Sequence, residues 1–370
     1  MMMIVVILLL VFLIYNVCIV ALYFGFSKIK RYDFFGLKPI TKFTIIVPFR
    51  NEAANLPVLL ASISKLNYPL DLFEVILVDD DSSEKFQFLN SKFQFSIIDN
   101  KRVSNSPKKD AINTAMQRIT TTWAITTDAD CVVPENWLLT YDHYIQQNQV
   151  QMLAGAVTYH VQNSFLHHFQ QLDLASLQGA TIGSFGLGHG FMCNGANFAY
   201  TKAFFEKLNG FEGNDTIASG DDVFLLQKAM VHSPQQVHYL KSKEAIVTTQ
   251  PVDTWKALFY QRVRWASKTS SYQSTFGVAL GLVVFGGNLA FIFSFGFWIL
   301  DFISFQSFLI ILLSKFFVDS LLIYKTNLFL TSDKIRHLIL SSMIYPFFST
   351  VVVLYSLFGN YEWKGRSFKK

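Results

Sequence analysis

The spacing of apolar and polar positions divides the chain into three stretches. Residues 2–26, MMIVVILLLVFLIYNVCIVALYFGF, carry no charge, and a helix needs only ~20 such residues to cross the ~30 Å hydrocarbon core of a bilayer. A transmembrane helix is predicted there. From about 41 to 250, short apolar runs alternate with polar segments of helical length. Beyond 251 the apolar positions first recur at helical spacing, as Trp255, Leu258, Phe259 and Trp265 beside Lys256, Arg262, Arg264 and Lys268. That is the pattern of a basic amphipathic helix at a membrane surface. Three apolar stretches follow, at about 276–299, 303–324 and 337–358. The first predicts a span. The second carries Lys315 and Asp319 four apart on one face, compatible with a span in which they pair or with a helix lying partly exposed. The third contains Pro346, compatible with a span, a kink or a re-entrant turn.

Within the middle stretch, Phe43–Val47 is a β-rich run stopped by Pro48, followed by a helix-length segment from Asn51 to about Leu66. Phe73–Val78, Phe93–Ile98 and Trp123–Thr127 are further strand candidates, and Lys108–Ile119 reads as a helix. Short apolar strands alternating with helices predict an α/β fold around an open, mainly parallel sheet. Such sheets bind ligands beyond the carboxyl ends of their strands. Polar clusters follow Val47, Val78 and Thr127, so three of them are expected along that edge.

Composition narrows the setting. Of 370 residues, 51% are apolar and 15% charged, with a net charge of +5. The charge sits largely beside the apolar segments, which fits an anionic leaflet and gives no reason to expect a nucleic-acid partner. A secretory signal peptide is the competing reading of residues 2–26, but its basic residues precede a shorter apolar run. Here Lys28, Lys30 and Arg31 follow it, which predicts a retained anchor. With Lys38 and Lys42 they place residues 41–270 in the cytoplasm by the positive-inside rule. If 276–299 and 303–324 both cross, Lys325, Lys334 and Arg336 are inside as well. A crossing 337–358 would then carry Lys364, Arg366, Lys369 and Lys370 outside, so the basic tail argues for two C-terminal crossings and the apolar pattern for three. Cys18, Cys131 and Cys193 have no metal-site spacing and imply no disulfide framework, which suits a reducing cytosol.

The chemistry-bearing residues are few. In an extended segment positions i and i+2 face the same side, so Asp128-Ala129-Asp130 aims two carboxylates at one point beyond a strand. Mg²⁺ or Mn²⁺ is commonly shared between one or two carboxylates and a substrate phosphate. Alone, the triplet reads more simply as a solvated acidic turn, and only its context favours a metal site. Val47-Pro48-Phe49-Arg50-Asn51-Glu52 and Val78-Asp79-Asp80-Asp81-Ser82 end two strands; alone, these are a turn capped at Asn51 and an acidic loop. Lys108, five residues before Asn113, opens a helix and could meet a diphosphate. Ser219-Gly220-Asp221-Asp222-Val223-Phe224-Leu225 sets two carboxylates at a helix start. They are either cap and dipole stabilisers or a proton acceptor for a hydroxyl. Gln261, Arg264 and Trp265 stand at i, i+3 and i+4 of one helix face. They offer an amide, a guanidinium suited to phosphate and a flat apolar wall; the plainer reading is an interfacial Trp/Arg belt.

In this order, VPFRNE, VDDDS, Lys108 with Asn113, DAD, GDD and QRVRW resemble membrane-bound glycosyltransferase family 2. The resemblance covers about 41–270, with Trp363-Lys364-Gly365-Arg366 in keeping. It implies a GT-A fold and inverting sugar transfer. Pro48 and Glu52 would lie in the loop meeting the nucleotide base and ribose. Asp80 would contact the base, with Asp79 a close competitor because three aspartates stand in a row. Lys108 would approach the diphosphate, Asp128 would face the ribose or diphosphate, and Asp130 would ligate Mg²⁺ or Mn²⁺, with Asp128 the second metal candidate. The family's Glu-Asp pair stands here as Asp221-Asp222, with Asp222 the general base and the role of the shortened Asp221 left open. Gln261, Arg264 and Trp265 would close over the diphosphate and acceptor. Asn194-Gly195-Ala196-Asn197 matches the acceptor-side loop less specifically.

The expected organisation is an anchor (1–27), a cytoplasmic GT-A catalytic domain (41–250), an amphipathic helix (251–272), two or three membrane helices (276–358) and a basic tail (359–370). The expected partners are a nucleotide-sugar donor, with UDP the family's common nucleotide, and a lipid or lipid-linked acceptor at the inner or plasma membrane. A processive polysaccharide synthase is the alternative within the enzyme class. A membrane conduit for glycan or lipid would need more than about four apolar segments, and a catalytically dead scaffold would have lost carboxylates that are all present.

Overall fold

The computed structural model describes residues 2–33, 36–83, 92–214, 219–359, 361–363 and 366–368. The chain forms two compact units: Ile29–His160 with Gly190–Gln250, and Met1–Lys28 with Val161–His189 and Pro251–Lys370. The second, helical unit opens with α1 (Met2–Lys28). The sheet unit then runs β1 (Phe43–Phe49), α2 (Leu56–Ile63), β2 (Phe73–Asp79), β3 (Gln94–Asp99), α3 (Pro107–Met116) and β4 (Trp123–Thr126). It continues with β5 (Cys131–Val132), α4 (Trp137–Gln147), β6 (Met152–Gly155) and β7 (Val157–Tyr159). After α5 (Phe165–Gly186), which belongs to the helical unit, come β8 (Phe198–Thr201), α6 (Lys202–Lys207), α7 (Asp221–His232), β9 (Val237–Leu240) and β10 (Val247–Thr249). The chain ends with α8 (Trp255–Ser267), α9 (Thr275–Ile299), α10 (Phe305–Leu330), α11 (Leu338–Phe358) and a short pair, β11 (Tyr361–Trp363) and β12 (Arg366–Phe368).

The main sheet has the order β3-β2-β1-β4-β8-β6-β9. β3, β2, β1 and β4 are mutually parallel, β8 runs antiparallel to both β4 and β6, and β6 is parallel to β9. The sheet is mainly parallel, as the alternation predicted. Phe43 through Val47 have no exposed surface, the continuous burial of a strand covered on both faces. One face packs on α2 and α4 through Ile45, Val47, Leu56, Leu59, Leu60, Leu138 and Tyr141. A smaller sheet, β5-β10-β7, lies in the same unit.

Pro48 does not stop β1, contrary to expectation; the strand runs to Phe49 and stays in register with β2 to Asp79. The Phe49 carbonyl accepts from Asp80 N at 2.8 Å, so the alternate residue Pro48 turns its nitrogen toward β4. The β4 ladder has already ended at Ile46–Thr126, so the missing N–H forfeits no ladder bond. The helix expected from Asn51 starts only at Leu56, with Pro57 in its first turn. Asn51 itself is left-handed, φ 52°.

In the helical unit, α1 and α5 approach through glycines. A Cβ on Gly183 would lie 2.5 Å from the Leu22 carbonyl oxygen, and one on Gly186 1.8 Å from that of Gly25; small residues allow this backbone contact. Lys315 and Asp319 pair at 2.6 Å, and Tyr15 of α1 completes the group by donating to Asp319 at 2.6 Å. Among the described residues four helices are long and apolar enough to cross a membrane: Met3–Lys28, Thr275–Ile299, Phe305–Leu330 and Leu338–Phe358. α11 continues through Pro346. Lys364, Gly365, Lys369 and Lys370, singled out above, lie outside the described residues. α8 departs from the interfacial pattern: Arg262, expected on its basic face, is buried with Leu258 and Val263.

Candidate active site

The carboxyl ends of β2, β1 and β4 lie side by side, so the loops after Phe49, Asp79 and Thr126 share one edge. The first two loops are stitched together. Arg50 Nη1 donates to the Asp80 carbonyl at 2.7 Å, Asn51 N to Ser82 Oγ at 2.9 Å, and Ser83 N to Asn51 Oδ1 at 2.9 Å. The left-handed turn at Asn51 allows this, a conformation asparagine tolerates better than most residues. Glu52 accepts from Asn55 Nδ2 at 2.6 Å within the same loop, just beyond Pro48.

Asp80, preferred in the sequence reading, and its close competitor Asp79 have different surroundings. Asp79 Oδ1 accepts from Ser82 N at 2.9 Å and so closes its own turn. Asp80 is 6% exposed, and its Oδ1 accepts from Arg102 Nε at 2.6 Å and Asn100 Nδ2 at 2.8 Å. The guanidinium of Arg102 offsets part of the cost of burying this carboxylate. Neither Asn100 nor Arg102 stood out in the sequence, since both follow β3 in a stretch with no recognisable motif.

A second cluster forms around Lys108. Of the two lysines opening α3, Lys109 is 1% exposed and donates to the Asn214 carbonyl at 2.6 Å. Lys108, one residue earlier on the helix, instead meets Asp128 Oδ1 at 2.7 Å and Asp221 Oδ2 at 3.3 Å. Burial by itself would lower the Lys108 pKa, but the carboxylates of Asp128 and Asp221, with Asp222 behind them, outweigh it and hold the ammonium well above its ordinary value. This gives Asp221 the partner that the sequence left unassigned.

Asp222 follows on α7, whose N-cap Gly220 is left-handed at φ 84°. Its Oδ2 accepts from Gly195 N at 2.9 Å and its Oδ1 from Val223 N at 2.7 Å. A Cβ at Gly195 would stand 2.9 Å from Asp221 Oδ2 and 3.3 Å from Lys108 Nζ. The Asn194–Asn197 segment is therefore part of the cluster, and only glycine lets its backbone come this close. Asn197 fixes that segment from below. It accepts from Trp137 Nε1 at 2.9 Å and Tyr141 OH at 2.8 Å, and donates to the Ala156 and Ala245 carbonyls at 2.7 Å each.

Asp128 and Asp130 are both partly accessible at the end of β4. The Cys131 thiol, 3.8 Å from Asp130 Oδ1, is kept protonated by its burial and by the charges of Asp130 and Asp128, which push its pKa up. Among the described residues no group of three or more His, Cys, Asp or Glu is placed to hold a metal ion. The donors present are two hard carboxylates, and these fit Mg²⁺ or Mn²⁺ if phosphate oxygens and water complete the shell. Gln261, Arg264 and Trp265 share one face of α8, half-buried within the helical unit.

Residues 44–208 match glycosyl transferase family 2. The probable glycosyltransferase YdaM of Bacillus subtilis (strain 168) is 26% identical over 245 residues, 62% of this chain. The match spans 56% of that relative's length. The mannosyltransferase PcManGT from Pyrobaculum calidifontis, solved in complex with GDP-Man and Mn²⁺, superposes with a TM-score of 0.58 at 14% identity, over 96% of this chain and 99% of that one. Residues 1–349 of S. aureus TarS in complex with UDP-GlcNAc give a TM-score of 0.43 at 14% identity, over 88% and 95% of the two chains. The fold likeness rests on the first of these structures. With its mainly parallel sheet and its likeness to the first of these structures the chain has the GT-A fold, and its segment 44–208 is similar to glycosyl transferase family 2.

Proposed function

We propose that this chain transfers a hexosyl group from a nucleotide-diphosphate sugar, with UDP the expected nucleotide, to a hydroxyl of a lipid or lipid-linked glycan at the membrane, with inversion. The observation that carries this reading is the convergence of Lys108, Asp128, Asp221 and Asp222 at the edge of a parallel sheet where such folds bind ligands. A relative named a probable glycosyltransferase, and a neighbour of like fold holding GDP-Man and Mn²⁺, support a nucleotide-sugar donor and a divalent ion.

The residues divide the reaction as follows. Breaking the sugar–phosphate bond places negative charge on the departing nucleoside diphosphate, and stabilising that charge is the main electrostatic task. Lys108, held protonated by its carboxylate neighbours, supplies a fixed positive charge for it. Asp130, with Asp128, would hold Mg²⁺ or Mn²⁺, which when bound would add Lewis-acid stabilisation of the diphosphate. Asp222 takes the proton of the attacking hydroxyl, and the Gly195 amide fixes the direction of its carboxylate. A single displacement from the face opposite the leaving group inverts the anomeric carbon. Asp221 keeps Lys108 in place. Pro48, Glu52, Asp79 and Asp80 shape the nucleotide side, and the reaction also requires Gln261, Arg264 and Trp265. The basic residues after α1 favour a cytoplasmic catalytic domain.

The test is a screen of UDP- and GDP-sugars against membrane lipid extracts with Mg²⁺ or Mn²⁺, in which products are sized. One nucleotide sugar giving a single-sugar lipid product supports the reading. A ladder of lengthening products would replace one-step transfer by polymer synthesis.

A further inference from the structure

Arg262 lies between the residues of the Gln261–Trp265 motif but was not among those assigned a role. It is 6% exposed, and its Nε meets Asp173 Oδ2 of α5 at 2.5 Å; Asp173 is itself 5% exposed. The same guanidinium donates through Nη1 to Gln261 Oε1, and its plane lies over the Trp265 ring, 4.2 Å from the centroid. One rigid fork therefore touches two of the three motif side chains and anchors both to a neighbouring helix.

Attachment of α8 does not explain this group. Val263 is buried against Val352, with Phe259, Ala266 and Phe348 packed around them, and that apolar contact already joins α8 to α11. A buried ion pair costs desolvation that apolar contact avoids. What it adds is direction, because a guanidinium has fixed donor geometry and a flat face. We infer that Asp173, acting through Arg262, is a positioning residue that sets the rotamers of Gln261 and Trp265. The assignment rests on the proposed transfer reaction only for its kinetic consequence; the arrangement itself can be read without activity.

The experiment uses the full chain in lipid nanodiscs. Asp173→Asn removes the charge and keeps the shape, Asp173→Glu keeps the charge, and the pair Asp173→Leu with Arg262→Met replaces the ion pair by apolar volume. Three quantities are read for each: the thermal midpoint, binding of UDP and GDP with Mn²⁺, and the kcat and KM for nucleoside diphosphate release from UDP- and GDP-sugars. The double variant is expected to melt within a few degrees of the parent and to bind nucleotide equally. Its kcat is expected to fall at least tenfold while donor KM moves less than threefold, with Asp173→Glu in between. Independently, acrylamide quenching attributable to Trp265, taken as the difference from the same protein carrying Trp265→Phe, is expected to rise in Asp173→Asn and in the double variant. A folded double variant with parental kcat would overturn the assignment, as would unchanged Trp265 quenching in Asp173→Asn. A parent protein that releases no nucleoside diphosphate from any donor, but shows the quenching change, would overturn the transfer reading and leave the positioning intact.

Discussion

Lys108 is the residue on which the electrostatics of the edge depend. Its ammonium stands among three carboxylates, and removing it leaves Asp128 and Asp221 facing each other without a shared cation. For a half-buried group of this kind Lys108→Met should destabilise by roughly 2 kcal/mol, between the values for exposed and buried pairs. Folding raises this lysine's pKa, so its contribution is fully present below the unfolded value of ~10.4 and is lost as pH rises through the folded value. Melting curves of parent and variant should therefore differ by a constant amount from about pH 6 to 9 and converge only above ~10. A gap that closes near neutrality would show that the carboxylates do not hold the proton on Lys108. This pairing was partly legible: the lysine at a helix start and the two acidic motifs were visible, but they lie far apart along the chain. The choice of Lys108 over Lys109 turns on which side of α3 is buried, and adjacent lysines look alike in a sequence.

At the scale of elements, two close approaches show where composition conceals function. Asn197 satisfies Trp137, Tyr141 and two carbonyls from one buried side chain. Asn197→Ala should cost about 3 kcal/mol or more, because several buried partners lose their bonds together. Denaturation of the full protein measures this, and a loss under about 1 kcal/mol would mean the partners find other bonds. Gly155→Ala presses on the same hub from the other side, since the new Cβ would fall 2.4 Å from Asn197 Nδ2. It should destabilise by about 1–3 kcal/mol as an overpacked core does. The Gly186 contact with Gly25 belongs to the helical unit, and Gly186→Leu should force α1 away from α5. The thermal midpoint of the full chain should drop in that variant and hold in Gly281→Leu, where an added Cβ meets nothing within 4 Å. Equal midpoints for the two would contradict the backbone contact. The strands and long helices here were readable because their apolar periods are strong. Pro48 misled because its tolerance depends on where β4 ends, a fact of pairing set by the distant register Ile46–Thr126.

The whole molecule combines a GT-A sheet unit with a helical unit in which, among the described residues, four helices are long and apolar enough to cross a membrane. The discontinuity of the sheet unit was not legible. α5 has the charge and polarity of a soluble helix, and the contacts that place it in the helical unit, its glycines against α1 and Asp173 against Arg262 of α8, follow no pattern visible along the chain. If the basic residues after α1 set the orientation, a cysteine introduced at the exposed Val103 should react with a membrane-impermeant maleimide only after cells are opened. Labelling of intact cells would place the sheet unit outside. The central claim, however, is chemical: one carboxylate, fixed by the Gly195 amide, receives the acceptor proton. Its most direct test compares Asp222→Asn with the parent in transfer from the donor selected by the screen. Turnover by Asp222→Asn is expected to fall by roughly 100- to 10,000-fold, with nucleotide binding and thermal midpoint unchanged. Parental turnover by that variant would contradict the claim.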